Sequence, residues 1–197
     1  YVMVKDSGEA LGIMASNFFD NPSAKLKLVG VTGTNGKTTT VTLLHELFGK
    51  LGHHVGLIST VVNKIGEEEI RSTHTTPDAI QMNELLQSMV LAGCEFCFME
   101  VSSHAVAQHR IAGITFAGGA FTNITHEHLD FHKTFKEYIK AKQGFFNLLP
   151  KSAFSLSNKD DKNGGVMLQE SSAKKHYYAL KTQADFKTKV IESNFDG

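Results

Sequence analysis

Residues 28–40 read LVGVTGTNGKTTT, and no other stretch constrains the fold as tightly. An apolar run, Leu28, Val29 and Val31, leads into Gly33, Thr34, Asn35, Gly36, Lys37, Thr38 and Thr39. A helical pattern follows at once, with Val41, Leu43, Leu44, Leu47 and Phe48 at helical spacing. Strand, glycine-rich turn and helix in that order aim backbone N–H groups and a helix N-terminus at one point in space, which suits a phosphate chain. Lys37 adds a point charge for β- and γ-phosphates, and the Thr38 hydroxyl is placed for Mg²⁺. Counted from Gly33, the spacing is shorter than G-x-x-x-x-G-K-[ST], and Val31 stands where that pattern has its first glycine. The loop is therefore a variant. A tight turn that merely carries glycines is the plainer alternative, and Gly-Lys-Thr-Thr between a clear strand and a clear helix weighs against it.

The bulk composition narrows the class. Of 197 residues, 41% are hydrophobic and 20% charged, the balance of a globular chain with a real core. Twenty basic residues offset twenty acidic ones, which argues against a nucleic-acid surface, because such a surface needs a basic excess. No apolar run reaches membrane-spanning length and no signal peptide is visible, so no membrane insertion is expected. The two cysteines, Cys94 and Cys97, lie on an apparent buried strand without a second pair, and read as structural core thiols in a reducing, cytoplasmic setting. The chain starts with Tyr1 and stops at Gly197 after a strand-like segment, 188–191, so a fragment of a longer protein is expected.

Strand candidates are 27–32, 55–58, 95–101, 118–122, 153–157 and 176–179, with a hairpin of 61–65 and 68–71 turning at Gly66. Helix candidates are 38–51, 78–92, 135–148 and 165–171. Strands alternating with helices indicate an α/β fold, a mostly parallel sheet flanked by helices around a phosphate loop. Ahead of it, 1–4 is β-like and 8–19 a weak amphipathic helix, read as the tail of a preceding domain. The expected division is 1–24 as the end of that domain and 25–197 as a central nucleotide-binding domain.

In an open parallel sheet, ligands bind beyond the carboxyl ends of the strands. There the sequence places Thr38, Thr75 and Thr76, then Glu100, Ser102, Ser103 and His104, then Asn123, His126, His128 and Asp130. Glu100 ends the apolar run FCFME, where a carboxylate can hold Mg²⁺ or, alternatively, cap the backbone of Ser102 and Ser103. His126, His128 and His132 cluster, but they lack a convincing third and fourth zinc ligand. By pattern alone Lys142 is an ordinary helical lysine.

In order, GTNGKTT, THTTPD, MEVSSHAVAQHR, FTNITHEHLDFH and YIKAK resemble the Mur ligases, most of all the type that adds the third amino acid to UDP-N-acetylmuramoyl-L-alanyl-D-glutamate. The resemblance runs over about 27–161, and MEVSSH and HLDFH separate it from the related folylpolyglutamate synthetases. It implies an ATP-dependent ligase using Mg²⁺, with the muramyl dipeptide and diaminopimelate or lysine as partners, acting as a monomer in peptidoglycan precursor synthesis. It implies that Gly33, Thr34, Asn35, Gly36, Lys37, Thr38 and Thr39 hold ATP, with Asn123 near the adenine. Thr38, Glu100, His128 and a carbamylated Lys142 would serve the metal ions. Thr75, Thr76, Ser102, Gln108 and Arg110 would contact the muramyl substrate, and Lys37, His128 and Lys142 would act in catalysis. A further C-terminal ligase domain is expected to lie outside the chain. Departures are His74, where relatives often carry Asn, and Glu127 and Phe131, where Asp and Tyr are frequent. The other readings are a folylpolyglutamate-type ligase of the same superfamily, a nucleotide-binding module without ligase activity, and a kinase with a small-molecule acceptor.

Overall fold

A computed structural model describes residues 3–125, 127 and 129–191. Its centre is β1 (Lys27–Thr32), whose run Leu28-Val29-Gly30-Val31 alternates faces, so that Leu28 joins one core and Val29 and Val31 the other. The loop 33–36 leads into α2 (Lys37–Lys50). Then come β2 (Val55–Ile58), an antiparallel hairpin of β3 (Val62–Ile65) and β4 (Glu68–Arg71), α3 (Ala79–Leu91), β5 (Phe96–Glu100) and α4 (Ser103–Ala107). The second half holds β6 (Gly118–Phe121), α5 (Leu129–His132), α6 (Phe135–Asn147), β7 (Phe154–Asn158), α7 (Gly164–Met167), β8 (Lys174–Ala179) and β9 (Phe186–Lys187). Among the described residues no helix is long and apolar enough to cross a membrane.

The strands form one sheet in the order β4-β3-β2-β5-β1-β6-β7-β8-β9, parallel except for the hairpin edge. From β1 the chain winds to one side through β2 and β5, then crosses to β6 on the other side and continues outward. The winding therefore reverses about β1, the place where α/β sheets open a crevice for ligands. In register, Val31 lies opposite Glu100 on one side and Ala120 on the other, so the loop after β1 emerges between the ends of β5 and β6.

Two helical layers cover the sheet. On one face Val41, Leu44 and Phe48 of α2 pack on Val31, Leu57 and Phe98. On the other, α3 and α6 bury Met82, Leu86, Met89, Tyr138, Phe145 and Phe146 against Leu28, Met99 and Phe121. Two glycines let α6 sit directly on the sheet. A Cβ on Gly30 would lie 2.5 Å from Phe145 Cζ, and one on Gly119 would lie 2.7 Å from Phe145 Cε1. Ahead of the sheet, α1 (Ser7–Phe18) is capped by Asp6, whose carboxylate accepts from Glu9 N at 2.8 Å. It packs on the segment after α4: Gly12 abuts Ala112, and Ser16 Oγ donates to Gly113 O at 3.0 Å.

Most predicted elements stand within a residue or two of expectation. The segment 188–191 is not a strand; the edge pairing falls on Phe186–Lys187 instead, where Tyr178 and Ala179 provide the register. Residues 3 and 4 are likewise irregular, and 1–2 lie outside the described residues. The helix foreseen over 165–171 is the shorter α7, and the short α4 and α5 were not foreseen. Cys97 lies within β5, its thiol pushed up by burial, while Cys94 precedes the strand; both are free and buried.

Candidate active site

The loop 33–36 is built by its neighbours. A Cβ on Gly33 would lie 1.9 Å from Thr122 Oγ1, so only glycine lets the loop pass the end of β6 so closely. Gly36 caps α2 with φ of +85°, and nothing lies within 4 Å of where its Cβ would point. Asn123 clamps the loop from β6: its Oδ1 accepts from Asn35 N at 3.0 Å and its Nδ2 donates to Asn35 O at 3.0 Å. Thr122 Oγ1 donates to the same carbonyl at 2.7 Å. Thr34 donates its N–H to Asn123 O at 2.7 Å, and its hydroxyl meets Tyr138 Oη at 3.2 Å. The loop is thus held in shape by β6 and α6, leaving the first turn of α2 at the sheet edge.

Three charged side chains converge on it. Lys37 Nζ donates to Gly33 O at 3.0 Å and to Thr34 O at 2.8 Å, curling over the loop it follows. Burial pushes its pKa down, with Glu100 and Glu127 opposing that fall. Glu100, 1% exposed at the end of β5, accepts on Oε1 from Thr38 Oγ1 at 2.8 Å and from Thr60 N at 2.7 Å. Lys142, also 1% exposed, donates to Gly33 O at 2.8 Å and lies 4.7 Å from the centre of the Tyr138 ring. Burial, with the Lys37 charge beside it, brings its pKa down to about 7. The placement of Lys142 follows from α6. Tyr138, Lys142, Phe145 and Phe146 share its buried face at helical spacing, and Phe145 is pinned over Gly30 and Gly119. Lys142, about one turn earlier, therefore reaches the end of β1.

The backbone of the same strand end serves a second cleft. Thr76 Oγ1 donates to Glu100 O at 2.9 Å and accepts from Ser102 N at 3.1 Å. Arg110 Nη1 donates to Thr76 O at 3.0 Å, and Thr75 Oγ1 accepts from Thr60 Oγ1 at 3.1 Å. Ser102 caps α4, its Oγ accepting from Ala105 N at 3.1 Å. Lys37, His74, Thr75, Thr76, Ser102, His104 and Arg110 line a cleft of about 280 Å³.

The fold thus brings together Gly33, Thr34, Asn35, Gly36, Lys37, Thr38, Asn123, Glu100 and Lys142, with Thr75, Thr76, Ser102 and Arg110 adjoining. Thr39 follows in the first turn of α2. Gln108, the C-cap of α4, is exposed and not among the residues lining the cleft. His126 and His128 lie outside the described residues. Sequence reasoning missed Thr60, Thr122 and Tyr138; the i, i+4 spacing of Tyr138 and Lys142 was the available signal. The donor set at Thr38 and Glu100 is hard oxygen, which fits Mg²⁺. Among the described residues no group of three or more His, Cys, Asp or Glu could hold a metal ion.

Comparisons with known proteins give the family and the fold. Residues 31–197 match the Mur ligase middle domain. The chain is 63% identical over its whole length to a UDP-N-acetylmuramoyl-L-alanyl-D-glutamate–2,6-diaminopimelate ligase of Cytophaga hutchinsonii, and 57% to the enzyme of that name from Parabacteroides distasonis. It spans 40% of the length of each. A solved structure of a ligase with the same name superposes with a TM-score of 0.79 at 27% identity, covering 91% of this chain and 38% of that one. Escherichia coli FolC in complex with ADP shares the fold, with a TM-score of 0.67 at 15% identity over 89% of this chain and 48% of its own. On this evidence the chain belongs to the Mur ligase family, whose middle domain it carries over residues 31–197.

Proposed function

We propose that the chain is the central unit of an ATP-dependent ligase that adds a diamino acid to UDP-N-acetylmuramoyl-L-alanyl-D-glutamate through an acyl phosphate. The names of the relatives favour diaminopimelate over lysine. Residues 25–197 form the ATP-binding unit, and 1–24 belong to the end of a UDP-substrate domain, with α1 docked on its neighbour. UDP-linked precursors and ATP place the reaction in the cytoplasm.

One observation carries the reading. Glu100 accepts from Thr38 on its side chain and from Thr76 on its backbone, so one residue joins the phosphate loop to the neighbouring cleft. A phosphoryl donor and an acceptor held at those two places would lie side by side. Lys37 neutralises charge on the β- and γ-phosphates, leaving the carbonyls of Gly33 and Thr34 to do so. Thr38 and Glu100 would hold Mg²⁺, His128 would belong to a second metal site, and a carbamylated Lys142 would supply an anion able to support the metal. The metal supplies charge neutralisation on the phosphoryl group in transfer. Thr75, Thr76 and Ser102 orient the muramyl dipeptide, and the Arg110 guanidinium, in the same cleft, pairs with one of its carboxylates, whereas Gln108 lies outside that lining. The γ-carboxylate of the D-glutamyl residue takes the γ-phosphoryl group and ADP leaves. The neutral amine of the incoming amino acid then attacks the acyl carbon, and the tetrahedral adduct loses one proton from nitrogen to solvent and expels phosphate to leave the amide.

The test is the full-length protein with ATP, the UDP-linked muramyl dipeptide, and diaminopimelate or lysine in parallel. Equal amounts of ADP, phosphate and tripeptide with diaminopimelate are expected. ADP release without amide, or amide formation only with a folate acceptor, overturns the reading.

A further inference from the structure

The sequence groups His132 with two other histidines as a metal-like cluster, yet the fold gives it different work. His132 ends α5 and is 7% exposed, at the meeting point of α4, α5 and α6. Its Nε2 lies 2.9 Å from Ser103 Oγ, itself 2% exposed in the first turn of α4. Its ring lies 5.1 Å from the Tyr138 ring on α6 and 5.5 Å from that of His104 on α4. Its carbonyl accepts from Thr134 N at 2.6 Å, around a corner where Lys133 takes a φ of +62°. The main chain is therefore fixed at the corner, and the side chain is held by both neighbouring helices.

What those helices carry makes the clamp consequential. Ser103 follows Ser102, whose N–H and hydroxyl bond Thr76, and α4 leads to Arg110 in the same cleft. Tyr138 meets Thr34 of the phosphate loop through its hydroxyl and Lys142 through its ring. The contiguous path Thr76, Ser102, Ser103, His132, Tyr138, Thr34 joins the two halves of the site without passing through Glu100.

We propose that His132 is a positioning residue, whose bond to Ser103 holds the start of α4, and with it Ser102 and Arg110, in place against α6 and the phosphate loop. The proposal rests on the ligase reading for its kinetic consequence and on geometry alone for the contact. Losing the bond leaves a buried hydroxyl without its partner and lets the start of α4 move. The fraction of protein with a competent acceptor cleft then falls, which raises the apparent substrate constant and leaves nucleotide binding alone.

The experiment compares His132→Phe, His132→Gln, Ser103→Ala and the double variant His132→Phe/Ser103→Ala in the full-length protein. His132→Phe keeps the ring packing without the bond, and His132→Gln keeps a polar nitrogen near the Nε2 position. Expected are a KM for the muramyl dipeptide raised about tenfold in His132→Phe and Ser103→Ala, partial recovery in His132→Gln, and unchanged ATP binding. The double variant is expected to be no worse than the worse single one, because both remove one contact. Amide hydrogen exchange over 102–107 should quicken in His132→Phe. Unchanged exchange there overturns the proposal. So does a uniform loss of ATP and dipeptide affinity with a lowered Tm, or a fully additive double variant. If the parent protein makes no amide, the ligase reading fails, while the exchange result still decides the contact.

Discussion

Lys142 offers the sharpest quantitative test of the site. A lysine of ordinary pKa holds about three neutral amines in ten thousand at pH 7, whereas one at about 7 holds half, a gain of roughly a thousandfold in the form that can attack CO₂. Burial is the larger cause and the Lys37 charge the second. The reaction joins the neutral amine to CO₂ and releases one proton, giving a carbamate, a carboxylate-like anion. Labelled CO₂ supplied at fixed dissolved concentration to the full-length protein should appear on Lys142 as a carbamate carbon resonance. The signal should grow as pH rises through about 7, because the neutral fraction grows in that direction. Lys37→Ala removes the like charge and should move that midpoint upward. Lys142→Ala should lose the signal and the ligase activity, with acetate or bicarbonate restoring part of the activity by supplying the anion. The same shift has a thermodynamic face. Between about 7 and 10.5 the folded protein binds fewer protons at this site than the unfolded chain, so its share of stability rises with pH across that window. No label on Lys142, or a midpoint near that of a surface lysine, would refute the argument.

Three shorter predictions bear on the rest of the site. Gly33→Ala sets a Cβ 1.9 Å from Thr122 Oγ1; the expected cost is about 1–3 kcal/mol of stability with weakened nucleotide binding, checked by denaturant melts and calorimetric titration. Glu100→Gln keeps an acceptor for Thr38 Oγ1 and Thr60 N but removes the charge, so magnesium-dependent nucleotide binding should fall at least about tenfold while Tm changes little. Arg110→Ala should raise the KM for the muramyl dipeptide and spare that for ATP; a selective rise for ATP would reject its place in the acceptor cleft.

The phosphate loop was legible because strand, turn and helix start fall within residues 27–50, but the bonds that hold its shape come from Thr122, Asn123 and Tyr138, far along the chain, and were not. The sheet was legible for a related reason, since buried parallel strands such as 96–100 and 55–58 are apolar on both faces. Glu100 was foreseen at a strand end, but its bond from Thr60 N was not, because the turn after β2 comes alongside only through the pairing of β2 with β5. Lys142 looked ordinary because lysine usually belongs to the solvated side of a helix. Its spacing from Tyr138 and Phe145 carried the contrary signal, and a strand glycine on the far side of the contact completed it. The short helices α4 and α5 are too brief for any periodicity to show. At 188–191 only the first residue reaches the neighbouring strand, Thr188 N donating to Ala179 O at 3.2 Å where β8 ends, and β propensity beyond a partner's end does not make a strand.

The seating of Phe145 over Gly30 and Gly119 ties core packing to reactivity. Neither glycine belongs to the loop 33–36 or lines the adjoining cleft, and both lie within strands. A methyl group at either would push α6 outward, and the amine of Lys142 would travel with it, away from the Gly33 carbonyl that it now reaches. Such a variant could keep its sheet, its loop and every charged side chain and still be slow, its fault measured in fractions of an ångström.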